Sequence, residues 1–184
     1  MNSTLKIGVV FALLFCAVKY LIYIINPDAV SVTPSILTNI FLLMVAVFVG
    51  LFVDKRQREE DTNAMLDIKT GLRAGLPYAV IVALFLYAFY SWINPEYNQH
   101  QIAETSVVID KMLNDPAELQ KLKDQNPEME LKSVEEIRSD LMQGPQSIFT
   151  AGATSTLALL GMLVLGTLYS ILVTAIFRTI FKPR

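Results

Sequence analysis

Leu5–Ile25 reads LKIGVVFALLFCAVKYLIYII, 21 residues that carry one charge near each end, Lys6 and Lys19. An α-helix rises about 1.5 Å per residue, so this stretch is long enough to cross the ~30 Å hydrocarbon core of a bilayer. Three further segments share its character: Ile36–Val53, Leu76–Ile93 and a longer one between Ile148 and Phe181. Four such segments among 184 residues predict an all-α polytopic membrane protein with four transmembrane helices. Composition agrees, with 53% hydrophobic and 17% charged residues and a mean hydropathy of +0.46.

The first segment reads as a retained span. It ends in Asn26-Pro27-Asp28 with no small-x-small cleavage site, and bulky Phe15 before Cys16 makes a poor lipoprotein site. Cys16 is the single cysteine, so one chain closes no disulfide. A net charge of −2 exerts no general pull on nucleic acid, and none is expected as a partner.

Charge asymmetry predicts the orientation. The loop 54–75 holds Lys55, Arg56, Arg58, Lys69 and Arg73, the C-terminal tail adds Arg178, Lys182 and Arg184, and Lys6 stands near the start. The short loop Asn26–Ser35 has no basic residue. Basic loops stay inside, so both termini and loop 54–75 are expected in the cytoplasm. Tyr20, Tyr23, Tyr87, Tyr90 and Trp92 are then expected to form a belt at the outer interface.

Three regions follow. Residues 1–93 hold the first three spans with cytoplasmic loop 54–75. Residues 94–146 form an acidic helical insert outside the membrane, and residues 147–184 hold the last span and a basic tail. The insert carries eleven acidic and five basic residues, a net of −6. Asp115-Pro116 is a cap with proline in the first turn, opening a helix through Gln125. Asn126-Pro127 interrupts it, and Ser133-Val134-Glu135-Glu136 is a capping box for a helix through Gln143 that Gly144-Pro145 should stop. Ile102, Val108, Ile109, Met112, Leu113, Leu119, Leu122, Val134, Ile137 and Leu141 give these helices greasy sides, for packing on each other or on a membrane surface. The acidic excess reads first as a solvated face, and alternatively as a surface for a cation or basic partner.

Small and polar residues recur at helical spacing within the spans. Span one has Gly8, Ala12, Cys16, Lys19, Tyr20 and Tyr23; span two has Ser35, Asn39, Leu42, Ala46 and Gly50. Span four has Gly152, Thr156, Gly161, Gly166, Ser170 and Thr174. Such stripes let helix backbones approach closely, and Gly8, Ala46, Gly50, Gly161, Gly166 and Ser170 are the expected packing positions. Lys19 is the sharpest single residue, because an ammonium inside a bilayer costs about 3 kcal/mol on insertion scales. Seven residues before Asn26, its stem can reach the outer headgroups. Alternatively it turns inward and, with Asn39 at similar depth, makes a polar site or an interhelical hydrogen bond.

In loop 54–75, Met65, Leu66, Ile68 and Leu72 alternate with Asp67, Lys69 and Arg73, the pattern of an interfacial helix. Lys69, Arg73 and Arg178 are expected to contact lipid headgroups. Pro77 should kink span three. Ile25-Asn26-Pro27-Asp28 and Ile93-Asn94-Pro95-Glu96 stand 68 residues apart at the ends of spans one and three. Asn-Pro-acid is a general helix stop, and a parallel duplication is the alternative.

Asp67-Ile68-Lys69-Thr70-Gly71-Leu72-Arg73-Ala74-Gly75, then Trp92-Ile93-Asn94-Pro95-Glu96-Tyr97, the acidic insert and a final span with a basic tail carry a family likeness. On these features the chain resembles a group of short four-span bacterial membrane proteins of unknown function, common in the Bacteroidetes lineage. The resemblance implies a four-helix inner-membrane protein and brings no catalytic residues.

Two functions fit this reading. The first is an accessory or scaffold protein that contacts another membrane protein or lipid, or associates with itself, through its outer helices. The second is a subunit of a small oligomeric transporter or channel with a polar site at Lys19 and Asn39. No enzyme activity, cofactor or metal is expected: His100 is the only histidine, and no Cys/His/Asp cluster has ligand spacing.

Overall fold

The computed structural model describes residues 3–25, 33–57 and 63–180. Among them the chain is helical and has no strand. The helices are α1 (Ser3–Ile25), α2 (Thr33–Gln57), α3 (Ala64–Ala88), α4 (Glu96–Asn114), α5 (Pro116–Gln125), α6 (Val134–Ile148) and α7 (Ala151–Ile180). A π-helical turn, Phe89–Ile93, extends α3, and a 3-10 turn, Pro127–Met129, follows α5. Four helical stretches are long and apolar enough to span a membrane: Ser3–Ile25, Pro34–Gln57, Ala64–Ile93 and Ala151–Thr179. The protein is an all-α polytopic membrane protein.

The chain forms two compact units. One, Met1–Leu86 with Ser155–Arg184, is a bundle of α1, α2, α3 and most of α7. Its outward residues are large and apolar, among them Leu13, Leu21, Phe41, Leu84 and Leu168. Small residues line part of its interior, where Ala12, Ala46, Ala74 and Ala79 are fully buried beside the larger Phe15, Leu43, Leu51 and Tyr78. This inversion of the soluble pattern follows from the solvent. Lipid tails solvate leucine as well as a neighbouring helix does, so close backbone contact rather than expulsion of grease holds the helices together.

The closest approach lies at Gly8, where a Cβ would collide with the carbonyl oxygen of Ala74 and stand 2.8 Å from Pro77 Cγ. Pro77 sits within α3, which runs on through it, and the proline ring lies against α1. At Gly71 a Cβ would stand 2.6 Å from Ser170 Oγ, which brings α3 against α7. Phe177 of α7 adds ring contacts with Phe48 and Phe52 of α2 at centroid distances of 5.2 and 6.3 Å.

Span three begins earlier than its hydropathy suggests. The helix that leads into span three is continuous with it: residues from Ala64 form the first turns of α3, with Asp67, Thr70, Gly71, Ala74 and Tyr78 along its buried face and Met65 exposed. Asp67 is thus on a packing face.

The second unit, Tyr87–Thr154, has its own core. Ile109 and Leu113 of α4 and Ile137 and Met142 of α6 are buried together, flanked by Ile102, Leu119, Leu122, Met129 and Leu141. Val108 and Val134 face outward instead. Asp115 Oδ1 accepts from Ala117 N at 2.9 Å, opening α5. The capping box closes in both directions, Ser133 N to Glu136 Oε2 at 2.8 Å and Glu136 N to Ser133 Oγ at 3.3 Å. Gly144-Pro145 does not stop α6, which continues to Ile148. A proline forfeits only one helical hydrogen bond, and the next turn still closes through Phe149 N to Pro145 O at 2.9 Å.

Asn94-Pro95 does end one helix and start another: Asn94 N closes the π turn on Phe89 O, and Asn94 Oδ1 accepts from Tyr97 N at 3.2 Å. Its proposed counterpart, Asn26-Pro27-Asp28, lies outside the described residues. Of the expected aromatic belt, Tyr20, Tyr87 and Trp92 are exposed. Tyr90 is buried, with its ring 5.0 Å from that of Tyr97 and edge-on to Phe89. Tyr90 lies within the π turn.

Candidate functional site

Three polar constellations stand out, two in the bundle and one in the second unit. The first contains Lys19. The buried face of α1 runs Thr4, Gly8, Ala12, Phe15 and Lys19, steps of three and four residues that keep Lys19 on the packing side. Its side chain is 8% exposed, and Nζ donates to Ser35 Oγ of α2 at 3.5 Å. Asn39, one turn after Ser35, is engaged elsewhere: the hydroxyl of buried Tyr78 on α3 donates to Asn39 Oδ1 at 2.7 Å, with the Asn39 carbonyl 3.1 Å away. The expected Lys19–Asn39 pairing is therefore replaced by Lys19–Ser35 and Tyr78–Asn39. Tyr78 was missed because an aromatic in a greasy segment reads as packing.

The second constellation gathers at the end of the bundle where α2 finishes and α3 begins. Asp67 has no exposed surface, and its Oδ2 receives Lys55 Nζ at 3.1 Å and both Nε and Nη2 of Arg178 at 3.0 Å. Thr70, one turn on, donates to Asp54 Oδ2 at 3.3 Å. A buried carboxylate survives as an ion only when paired, and here cations from two other helices supply that pairing. Arg178 is consequently tied to protein where headgroup contact was expected, while Lys69 and Arg73 are exposed. Asp67 was legible in principle, since it lies in helical register with Gly71, Ala74 and Tyr78. Its partners were not, because they come from distant turns of other helices.

The packing residues sort by register. Gly8, Ala46, Gly50, Gly166 and Ser170 are buried, and a Cβ on Gly50 would stand 2.8 Å from that of Ala74. Gly161 is exposed, and a Cβ there would meet nothing within 4 Å among the described residues, so it packs against none of the described helices. A Cβ on half-buried Gly152 would likewise meet nothing within 4 Å among the described residues. The buried line of α7 runs through Ser155, Met162, Gly166, Ser170 and Thr174. Gly161 stands five residues before Gly166, a step that turns the helix about 140° past one full rotation and puts Gly161 off that line.

The third constellation lies between α4 and α6. Arg138 Nε and Nη2 clasp Asp110 Oδ1 and Oδ2 at 2.6 and 3.2 Å, and Nη2 also donates to Ser106 Oγ at 2.8 Å. These hydrogen bonds hold the Asp110 carboxyl below the ordinary carboxylate range and raise the Arg138 guanidinium above its own. Beside this clasp opens a groove of about 620 Å³ lined by α4 and α6 residues alone. Among the described residues no three His, Cys, Asp or Glu side chains come together as a metal-binding group.

The sequence model of a family described as "Protein of unknown function (DUF4199)" matches residues 6–179. No curated protein and no solved structure matches the chain.

Proposed function

The chain belongs to that family of proteins of unknown function, and from this premise we propose that it is an accessory protein of the bacterial inner membrane. In this reading its second unit contacts another membrane protein from outside. One observation carries the proposal: residues 87–154 possess their own buried core and charge clasps, and still leave an open groove between α4 and α6. A segment that only joined two spans would need neither. The charge pattern supports N and C termini in the cytoplasm, with Lys69 and Arg73 exposed beside the inner headgroups.

The bundle supports the same assignment over a transport path. Lys19 and Asn39 each hydrogen-bond to a different helix, the arrangement of interhelical glue. We assign the protein no catalytic step.

Two measurements test this function. Leu131→Cys and Lys69→Cys, in a chain whose Cys16 is replaced by alanine, should react with a membrane-impermeant maleimide from the outer and inner side respectively. The opposite pattern inverts the orientation. Purification from native membranes in mild detergent, with the mass of the complex determined, should yield a stoichiometric second protein. A lone chain or a homo-oligomer would remove the accessory role.

A further inference from the structure

The groove between α4 and α6 is built from one face of each helix. Gln99, Ile102, Ala103 and Ser106 recur at three- and four-residue steps on α4. On α6 the lining positions run from Glu135 through Arg138, Ser139, Met142 and Gln143 to Gln146. Ile102, Ala103 and Met142 supply an apolar surface, and three carboxamides and two hydroxyls surround it. A primary amide offers both a donor and an acceptor, the same pair that each peptide unit of an extended chain presents. No aromatic ring lines the groove, so it has no platform on which a sugar or base could stack.

Charge completes the description. Arg138 is spent on Asp110 and Ser106, so the groove's one cation is neutralised within the unit. The Glu135 side chain makes no hydrogen bond or ion pair with any described residue. The groove therefore carries one uncompensated negative charge, in a segment whose net charge is −6. Gln146 lies eleven helical steps beyond Glu135, about 16 Å at ~1.5 Å per residue, the length of about five extended residues.

We infer that the α4–α6 groove binds an extended, lysine- or arginine-bearing polypeptide segment of another protein, with Glu135 meeting its cation and Gln99, Gln143 and Gln146 its peptide groups. The inference rests on the accessory role proposed above and names the chemistry of the partner. Long-range attraction from the acidic unit would speed encounter, and the amides would set register.

The test titrates the full-length protein in neutral maltoside micelles with a fluorescein-labelled nine-residue peptide of alternating lysine and leucine, read by polarisation. A glutamate-for-lysine peptide is the control. The basic peptide should bind and the acidic one should not, and binding should weaken as salt screens the charges. Glu135→Gln should weaken binding about tenfold, as expected for loss of one charge contact, and Glu135→Lys more. Ser139→Trp, which fills the groove without changing charge, should abolish it. Asp124→Lys makes the same charge reversal on α5 outside the groove and should change affinity less than about twofold.

An equal loss in Asp124→Lys and Glu135→Lys would reduce the effect to diffuse charge and overturn the proposal. So would tight binding by Ser139→Trp, or no binding by the wild type. Purification from native membranes separates this failure from failure of the accessory role. A partner retained by Ser139→Trp refutes the groove and keeps the role. A wild-type chain that carries no partner refutes the role, while the peptide titration still decides the groove.

Discussion

The guanidinium of Arg178 meets the carboxylate of Asp67 at 3.0 Å across 111 positions of sequence, and Lys55 reaches the same oxygen from α2. One buried acid thereby ties together α2, α3 and α7, the second, third and last helices of the chain. Breaking such a cluster costs more than forming it yields, because the survivor is left charged and buried.

Asp67→Asn should destabilise the bundle by about 1–3 kcal/mol, because the carboxylate that Lys55 and Arg178 share is lost while both cations, partly exposed, can still turn to water. Arg178→Met should cost less, since Lys55 remains beside the carboxylate. Thermal unfolding of both variants in detergent checks the order. Equal stability of Asp67→Asn and the wild type would mean that the cluster contributes no net stability.

The same substitution at two glycines should have opposite effects. Gly8→Ala forces a methyl into the Ala74 carbonyl and should destabilise by about 1–3 kcal/mol through overpacking. Gly161→Ala meets open space and should stabilise by about 0.5–1 kcal/mol, because alanine loses less backbone entropy in a helix. A matched loss at both positions would show that Gly161 packs against something outside this chain.

Tyr78→Phe removes the hydroxyl that joins α3 to Asn39 and leaves the amide oxygen without that donor. Interhelical hydrogen bonds in membranes measure about 1 kcal/mol, and a loss of that size is expected on unfolding. Lys19→Met should leave the amount of inserted protein unchanged, since it gives up polar contacts such as the long hydrogen bond to Ser35 and replaces a charge with a thioether of similar length. A Lys19→Met chain present at wild-type levels but devoid of a cellular phenotype would revive the transport reading.

Thr174 is buried in α7, and its hydroxyl has no partner among the described residues. Thr174→Val keeps the shape and removes the orphan group, so stability should hold or rise by up to about 1 kcal/mol. A marked loss would reveal a hydrogen bond to that hydroxyl.

The second unit should respond to pH at both extremes. Hydrogen bonds from Arg138 lower the Asp110 carboxyl, and those from Ser133 lower that of Glu136. A carboxyl lowered on folding stabilises the fold above its unfolded pKa, and that contribution disappears as the pH falls through the folded value. Lys132 is raised by its hydrogen bond with Asp140, so its contribution is lost as the pH rises through the folded value. Far-UV circular dichroism should show a neutral plateau with declines on either side, and Asp110→Asn should flatten the acid limb. An unaltered acid limb in Asp110→Asn would remove the clasp from the account.

Local rules were legible wherever one short stretch carries both partners. The four apolar spans, the Asp115-Pro116 start and the Ser133–Glu136 box all read directly, because helix rise, capping and hydrocarbon thickness are properties of neighbouring residues. Gly161 and Pro145 misled for the opposite reason. Residue type proposes a packing glycine or a helix stop, but register against a neighbour decides the first and the next turn's hydrogen bonding decides the second.

The sequence by itself determined that the chain is an all-α, four-span membrane protein with an acidic helical insert. Long apolar runs have no other stable form in lipid, where every backbone group must find its partner within the segment. Tertiary structure alone decided that Asp67 is buried between Lys55 and Arg178, that Tyr78 rather than Lys19 bonds to Asn39, and that Arg138 is spent on Asp110. Each of these joins residues of different helices, and a contact between two helices depends on the rotation and depth of both. No stretch of either helix specifies those alone.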